Sequence, residues 1–295
     1  MRRYAVAEIA RGASVLIEAH RSQPDYVAAK HAPFRRGTVR AMWTDMALRS
    51  VAASRYVTPL REGGSLPGLV EADDDGLYVA KFRGAGQGVL ALVAEVIVGE
   101  LARALGFSVP ELVALEVDAA LGAAEPDPEI KDLMGASAGL NLGVDFLPGA
   151  LAYAPGGPCQ PSAEQAAGVV WLDALVTNVD RSARNPNLLI WHGRMWLIDH
   201  GAALYRQHAG LLTAEEAERP FTHTGEHVLL GRAGSILGAH ERLAADAAAS
   251  IAGAVALVPQ DWLRADERDV YIGYLARRLQ TAGFAREAEN ARLSA

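Results

Sequence analysis

The chain has 295 residues, 51% of them hydrophobic, enough to bury a substantial core in one bilobal unit or two small domains. A net charge of -7 argues against a general nucleic-acid binder, and the single cysteine, Cys159, excludes an intramolecular disulfide and a cysteine-based zinc site. No apolar run of about twenty residues appears, so no membrane span is expected, and the balance suits a cytoplasmic enzyme.

In chain order, residues 1–50 read as an Arg-rich N-terminal extension of weak periodicity, whose order the sequence leaves open. Its opening lacks the long apolar core and cleavage site of a targeting peptide. Residues 51–149 read as a β-rich lobe. Arg61 to Gly68 and the acidic turn Asp73 to Gly76 form a glycine-rich hairpin, in which Gly63, Gly64 and Ser65 let backbone N–H groups approach phosphates. Leu77 to Phe82 is a strand carrying Lys81. Gly84 to Gly88 is a connector whose G-x-G-x-G spacing departs from a dinucleotide fingerprint, which leaves a dinucleotide-binding protein as a distant alternative. Val89 to Leu105 is an apolar helix closed by Gly106, with Glu95 on an apolar face where a carboxylate needs a partner. Glu111 to Asp118 is a strand, and Ala119 to Ala138 a connector with a short helix around Ile130 to Met134.

Residues 150–295 read as a mainly helical lobe. A helix opens after Ser162, with Glu164 or Gln165 as its capping partner. Helices over His240 to Val255 and Asp266 to Leu293 follow, the second broken near Gly283. The tryptophans 171, 191, 196 and 262 read as packing residues.

Leu172 to Leu204 (LDALVTNVDRSARNPNLLIWHGRMWLIDHGAAL) carries the chemistry. Asp180 is followed five residues later by Asn185, and a hairpin with His192-Gly193-Arg194 as its turn then delivers Asp199. Phosphoryl transfer needs a carboxylate to orient or deprotonate the acceptor hydroxyl and hard oxygen ligands for Mg²⁺. Asp180 fits the first part, and Asn185 and Asp199 fit the second. A kinase-like site also needs a strand lysine, a carboxylate on the following helix and a flexible loop upstream, which Lys81, Glu95 and the glycine-rich hairpin supply in order.

These motifs, over residues 55 to 290, resemble the HipA-like kinases, particularly compact bacterial relatives without the large N-terminal subdomain of full-length HipA toxins, and more distantly the phosphatidylinositol kinases. The resemblance implies an α+β, bilobal protein-kinase-like fold with a small β-rich N-lobe and a mainly helical C-lobe. It makes Lys81 the phosphate-contacting lysine, Glu95 its helix partner, Asp180 the catalytic aspartate, and Asn185 and Asp199 the metal ligands. The backbone of Asp145, Phe146 and Leu147 falls where adenine is held. ATP and Mg²⁺ are the implied cofactors. The implied acceptor is a Ser or Thr hydroxyl on a protein, with a lipid or small-molecule alcohol, or a non-catalytic pseudokinase module, as alternatives. A regulatory protein partner fits the family. Arg181, Ser182 and the Asp-His-Gly motif depart from its commonest pattern.

Overall fold

A computed structural model describes residues 47–60, 66–122 and 125–295. Gly63, Gly64 and Ser65, expected to approach phosphates, and most of the expected extension lie outside the described residues. The elements run β1 (Arg49–Pro59), β2 (Gly68–Ala72), β3 (Leu77–Lys81), α1 (Gly88–Ala104), β4 (Leu112–Val117), α2 (Pro128–Ala136), β5 (Gly139–Asp145), β6 (Leu151–Ala152) and α3 (Ala163–Leu175). They continue through β7 (Leu188–Trp191), β8 (Arg194–Leu197), α4 (Ala214–Glu218), α5 (Ile236–Ala256), α6 (Ala265–Thr281) and α7 (Gly283–Leu293). The chain is thus α+β. It divides into two compact units, one formed by the described residues of Leu48–Val89 and Pro110–Leu151, the other chiefly by Leu90–Val109 and Ala152–Ala295.

In the first unit the strands close into a barrel in the order β1-β2-β3-β5-β4. All neighbours are antiparallel except β1 and β4, whose parallel pairing completes the barrel and leaves no edge to be covered. Alternation along β3 turns Tyr78 and Ala80, with Phe82 just beyond, into a core shared with Val51, Val70, Val113 and Leu115, and with Ile130 and Met134 of α2. Lys81 shares the opposite face with Leu77 and Val79, and pairs in register with Leu142 of β5. Gly143 sits opposite Val113, where an added Cβ would lie 2.6 Å from Val113 Cγ2, so the barrel needs a bare backbone there. Arg49 fastens the start of β1, donating to Glu111 (3.0 and 3.2 Å), to Asp74 (2.6 Å) and to the Tyr78 hydroxyl (2.7 Å). The strand therefore begins at Arg49, two residues ahead of the expected start of the lobe at residue 51.

In the second unit α3 opens on a reciprocal capping box between Ser162 and Gln165 and buries Trp171 completely. α5 and α7 pack against it, and α6 packs against α4 and α5. The expected break in the last helical stretch falls at Ala282, whose φ of 50° ends α6 one residue before Gly283. The hairpin β7–β8 turns through two residues only. His192 (φ 47°) and Gly193 (φ 72°) both take the left-handed conformation of a type I′ turn, and Arg194, expected in the turn, pairs with Trp191 as the first residue of β8.

Candidate active site

The catalytic-loop candidate grows out of the end of α3. Asp173, one turn from that end, is 1% exposed among apolar neighbours, a position a carboxylate holds only when fully partnered. Its Oδ1 accepts from Asn178 Nδ2 at 2.9 Å, and its Oδ2 from Arg181 Nε at 2.5 Å and His227 Nε2 at 2.9 Å. Burial works to raise this carboxyl, but Arg181 and His227 outweigh it and hold the group well below the ordinary carboxylate range. The other nitrogen of His227, Nδ1, accepts from the Leu229 N–H at 3.0 Å, which fixes the ring as the tautomer that donates from Nε2.

Asp180 is suspended between these partners. Its backbone N–H donates to Asn178 Oδ1 at 3.0 Å, its carbonyl accepts from Asn187 Nδ2 at 2.7 Å, and its carboxylate Oδ2 accepts from Asn185 Nδ2 at 2.8 Å. The side chain stays partly exposed. Arg181, a departure from the commonest family pattern, is 2% exposed and serves as a buried strut. Besides Asp173 it reaches the carbonyls of Asn187 (2.5 Å) and Ile198 (3.5 Å), while Ile198 N–H donates to Asn187 O at 3.1 Å. The two ends of the hairpin are thereby drawn together beside the loop, and Asp199 follows immediately with a φ of 55°.

Glu95 belongs to this same unit. It is 1% exposed, as its apolar surroundings in the sequence predict, and its Oε1 accepts from the Gly201 N–H at 2.8 Å, two residues beyond Asp199. α1 is held to the loop a second time, since Gln207 Nε2 donates to Leu90 O at 3.1 Å and Gln207 Oε1 accepts from the Tyr271 hydroxyl at 2.9 Å. Glu100, the other glutamate of α1, is paired with Arg103 at 3.1 and 3.2 Å.

Asn185 and Asp199 carry the oxygen donor types, a neutral amide and a carboxylate, that Mg²⁺ takes. With its amide nitrogen committed to Asp180, Asn185 presents its neutral oxygen, and Asp199 adds one carboxylate; Mg²⁺ is commonly held by one or two protein oxygen ligands, with phosphates and waters completing the shell. Among the described residues no group of three or more His, Cys, Asp and Glu side chains gathers into a self-sufficient metal cage.

In the first unit, the triplet expected to hold adenine is partly spent on the barrel: Asp145 N–H donates to Glu111 O at 2.8 Å and Phe146 N–H to Leu77 O at 2.9 Å, while Leu147 O accepts from Ala150 N–H at 3.1 Å. The Gly84 to Gly88 connector is shaped by local packing. A Cβ at Gly84 would meet Ser137 Oγ at 2.8 Å, and Arg83 N–H donates to the buried Asn141 at 2.8 Å. Its strand belongs to the barrel, not to the parallel sheet that a dinucleotide site needs.

Asp173, Asn178, Asn187 and His227 were not singled out by the sequence. One signal was available for Asp173, a lone carboxylate within the apolar run GVVWLDAL, which calls for a buried partner by the reasoning that marks Glu95.

Asp180 beside Asn185, followed by a hairpin that leads into Asp199, is the pattern expected of a phosphotransferase loop. A family model for HipA-like kinases matches residues 54–282, and the chain belongs to that family. Among solved structures it is similar to the Helicobacter pylori proinflammatory kinase CtkA, at 12% identity over 79% of this chain and 92% of that one, with a TM-score of 0.48. No curated protein matches the chain.

Proposed function

We propose that this chain is an ATP- and Mg²⁺-dependent kinase that transfers the γ-phosphate to a serine or threonine hydroxyl on a protein. The barrel unit is the small lobe and the helical unit the large lobe of a protein-kinase-like fold. Asp180 orients the acceptor hydroxyl and takes up its proton, and Asn185 and Asp199 hold the metal. Lys81 contacts the nucleotide phosphates with Glu95 as its helix partner, the backbone of Asp145, Phe146 and Leu147 receives adenine, and Gly63, Gly64 and Ser65 cover the phosphates. Bound Mg²⁺ supplies neutralisation of the phosphate charge. The chain's own task is positioning, which is where most of the catalysis in this reaction class lies.

The observation that carries this reading is the 2.8 Å bond between Asn185 and Asp180, inside a loop held from beneath by Asp173 and continued by a hairpin whose second strand ends at Leu197, just before Asp199. A cytoplasmic setting is supported by the single cysteine, and among the described residues no helix is long and apolar enough to cross a membrane.

The test incubates the purified protein with γ-labelled ATP, Mg²⁺ and host lysate, beside the variant Asp180→Asn. Label on a protein that disappears with Asp180→Asn, while ATP binding persists, is the expected result. Label in the small-molecule or lipid fraction replaces the protein acceptor. Equal labelling by wild type and variant removes Asp180 from its role, and no labelling at all points to a binding-only module.

A further inference from the structure

The Asp173 carboxylate holds Asp180 from two sides at once. Through Oδ1 it fixes Asn178, whose side-chain oxygen receives the Asp180 N–H, and through Oδ2 it fixes Arg181, the next residue along. A carboxylate with only these two partners can still rock about its χ2 torsion, and that rocking would carry both neighbours of Asp180 with it. The third donor, His227 Nε2 at 2.9 Å, removes this freedom. His227 is distant in sequence and belongs to the segment after Asp199. Its own ring is fixed in turn by the Leu229 N–H on Nδ1.

The backbone of the segment is anchored independently of the ring. Val228 N–H donates to Arg181 O at 3.0 Å, and residues 182 and 227 form an isolated β-bridge. A change of the His227 side chain therefore leaves the segment docked while altering what Asp173 receives.

We propose that His227 is a positioning residue for phosphoryl transfer, locking the Asp173 carboxylate so that Asp180 is held at the angle the acceptor hydroxyl requires. This rests on the kinase reading above for its chemistry, but the lock itself is a property of the hydrogen bonds and is measurable without activity.

The two ring nitrogens allow a discriminating pair of variants. The amide nitrogen of His227→Gln reaches the place of Nε2 and preserves the donor to Asp173. The amide oxygen of His227→Asn takes the place of Nδ1, preserving acceptance from Leu229 and deleting the donor to Asp173. Both are to be assayed as full-length protein for Mg²⁺·ATP turnover and for amide hydrogen exchange over residues 178–187. A loop misplaced by a fraction of an ångström to about 1 Å costs on the order of 10- to 100-fold in rate, so His227→Asn should lose kcat by that factor with KM for ATP unchanged. His227→Gln should stay within about threefold of wild type, and only the Asn variant should speed exchange in the loop.

If both variants match wild type in turnover and in exchange, or if Gln is as impaired as Asn, the lock is refuted while an active wild type leaves the kinase reading standing. If the wild type turns over no ATP but the Asn variant alone speeds loop exchange, the kinase reading fails and the lock survives. A rise in KM for ATP with kcat unchanged in His227→Asn also overturns the proposal, since it places His227 on nucleotide binding.

Discussion

Replacing Arg278 by methionine should unlatch the base of the candidate catalytic loop. Arg278 is 1% exposed on α6, and its guanidinium donates to the carbonyls of Leu175 (2.8 Å), Ala174 (2.8 Å), Ala217 (3.0 Å) and Arg219 (3.4 Å). Leu175 and Ala174 end α3, whose last carbonyls have no helical partner, so one buried cation satisfies orphan acceptors at the point where the chain turns toward Asp180. Burial lowers the Arg278 pKa, yet arginine starts so high that the group stays charged. Methionine fills a similar volume and leaves the carbonyls buried without donors. Breaking such an arrangement costs about 3–5 kcal/mol. With a urea dependence of about 3 kcal/mol per molar, the unfolding midpoint followed by tryptophan fluorescence should fall by about 1–1.7 M. Arg278→Lys should fall nearly as far, because an ammonium cannot span carbonyls fixed on separate segments. A methionine variant within about 1 kcal/mol of wild type would refute the role given to these bonds.

Three further outcomes follow from the same geometry. The depressed pKa of Asp173 means that its contribution to stability is fully present above its unfolded value of about 4 and is lost as pH falls from there through the folded value. The stability difference between wild type and Asp173→Asn, measured by urea unfolding from pH 3 to 7, should therefore be flat above about pH 5 and shrink below about pH 4; a difference that grows toward low pH contradicts the assignment. Glu95→Ala removes the acceptor for the Gly201 N–H and should weaken Mg²⁺·ATP binding measured by calorimetry, whereas Glu95→Gln keeps an oxygen there and should affect turnover more than binding; identical binding by wild type and the alanine variant would separate Glu95 from the Asp199 turn. Gly143→Ala forces a Cβ to within 2.6 Å of Val113 and should cost about 1–3 kcal/mol in the barrel, read as a lower thermal midpoint that Val113→Ala partly restores.

Legibility followed the range over which each residue acts. The strand of Lys81, the helix of Glu95, the capping box at Ser162 and the break near Gly283 are local: periodicity, a cap or a left-handed residue decides each within a few positions, and sequence reads such signals well. The two-residue turn at His192-Gly193 was missed by one position because Arg194 looks like a turn residue until Trp191 is seen opposite it in the ladder. Barrel closure through the parallel pairing of β1 with β4 was not legible, since it joins Arg49 to the neighbourhood of Val113 with nothing in either segment naming the other. The residues expected to touch nucleotide stood out because the chemistry demands their types at their spacing. Those that hold them did not, because Arg181 is marked only as a departure from the family pattern and His227 is one histidine among eight.

That division has a physical origin. A group that meets substrate must keep some exposure and a free valence, so its identity is set by the reaction and its spacing by the loop that carries it. A group that positions it must be buried and saturated, so its identity is set by whatever donor or acceptor the fold brings near, often from far along the chain. Asp173 has three donors from residues 178, 181 and 227, and Arg181 ties residues 173, 187 and 198 into the same knot. Removing any one member leaves the others buried and unsatisfied, so single substitutions within this knot should cost nearly as much as paired ones. The Asp173→Asn, Arg181→Met double variant should accordingly be destabilised by clearly less than the sum of its singles, by at least about 1 kcal/mol in a double-mutant cycle, and strict additivity would show that the two residues stabilise the loop independently.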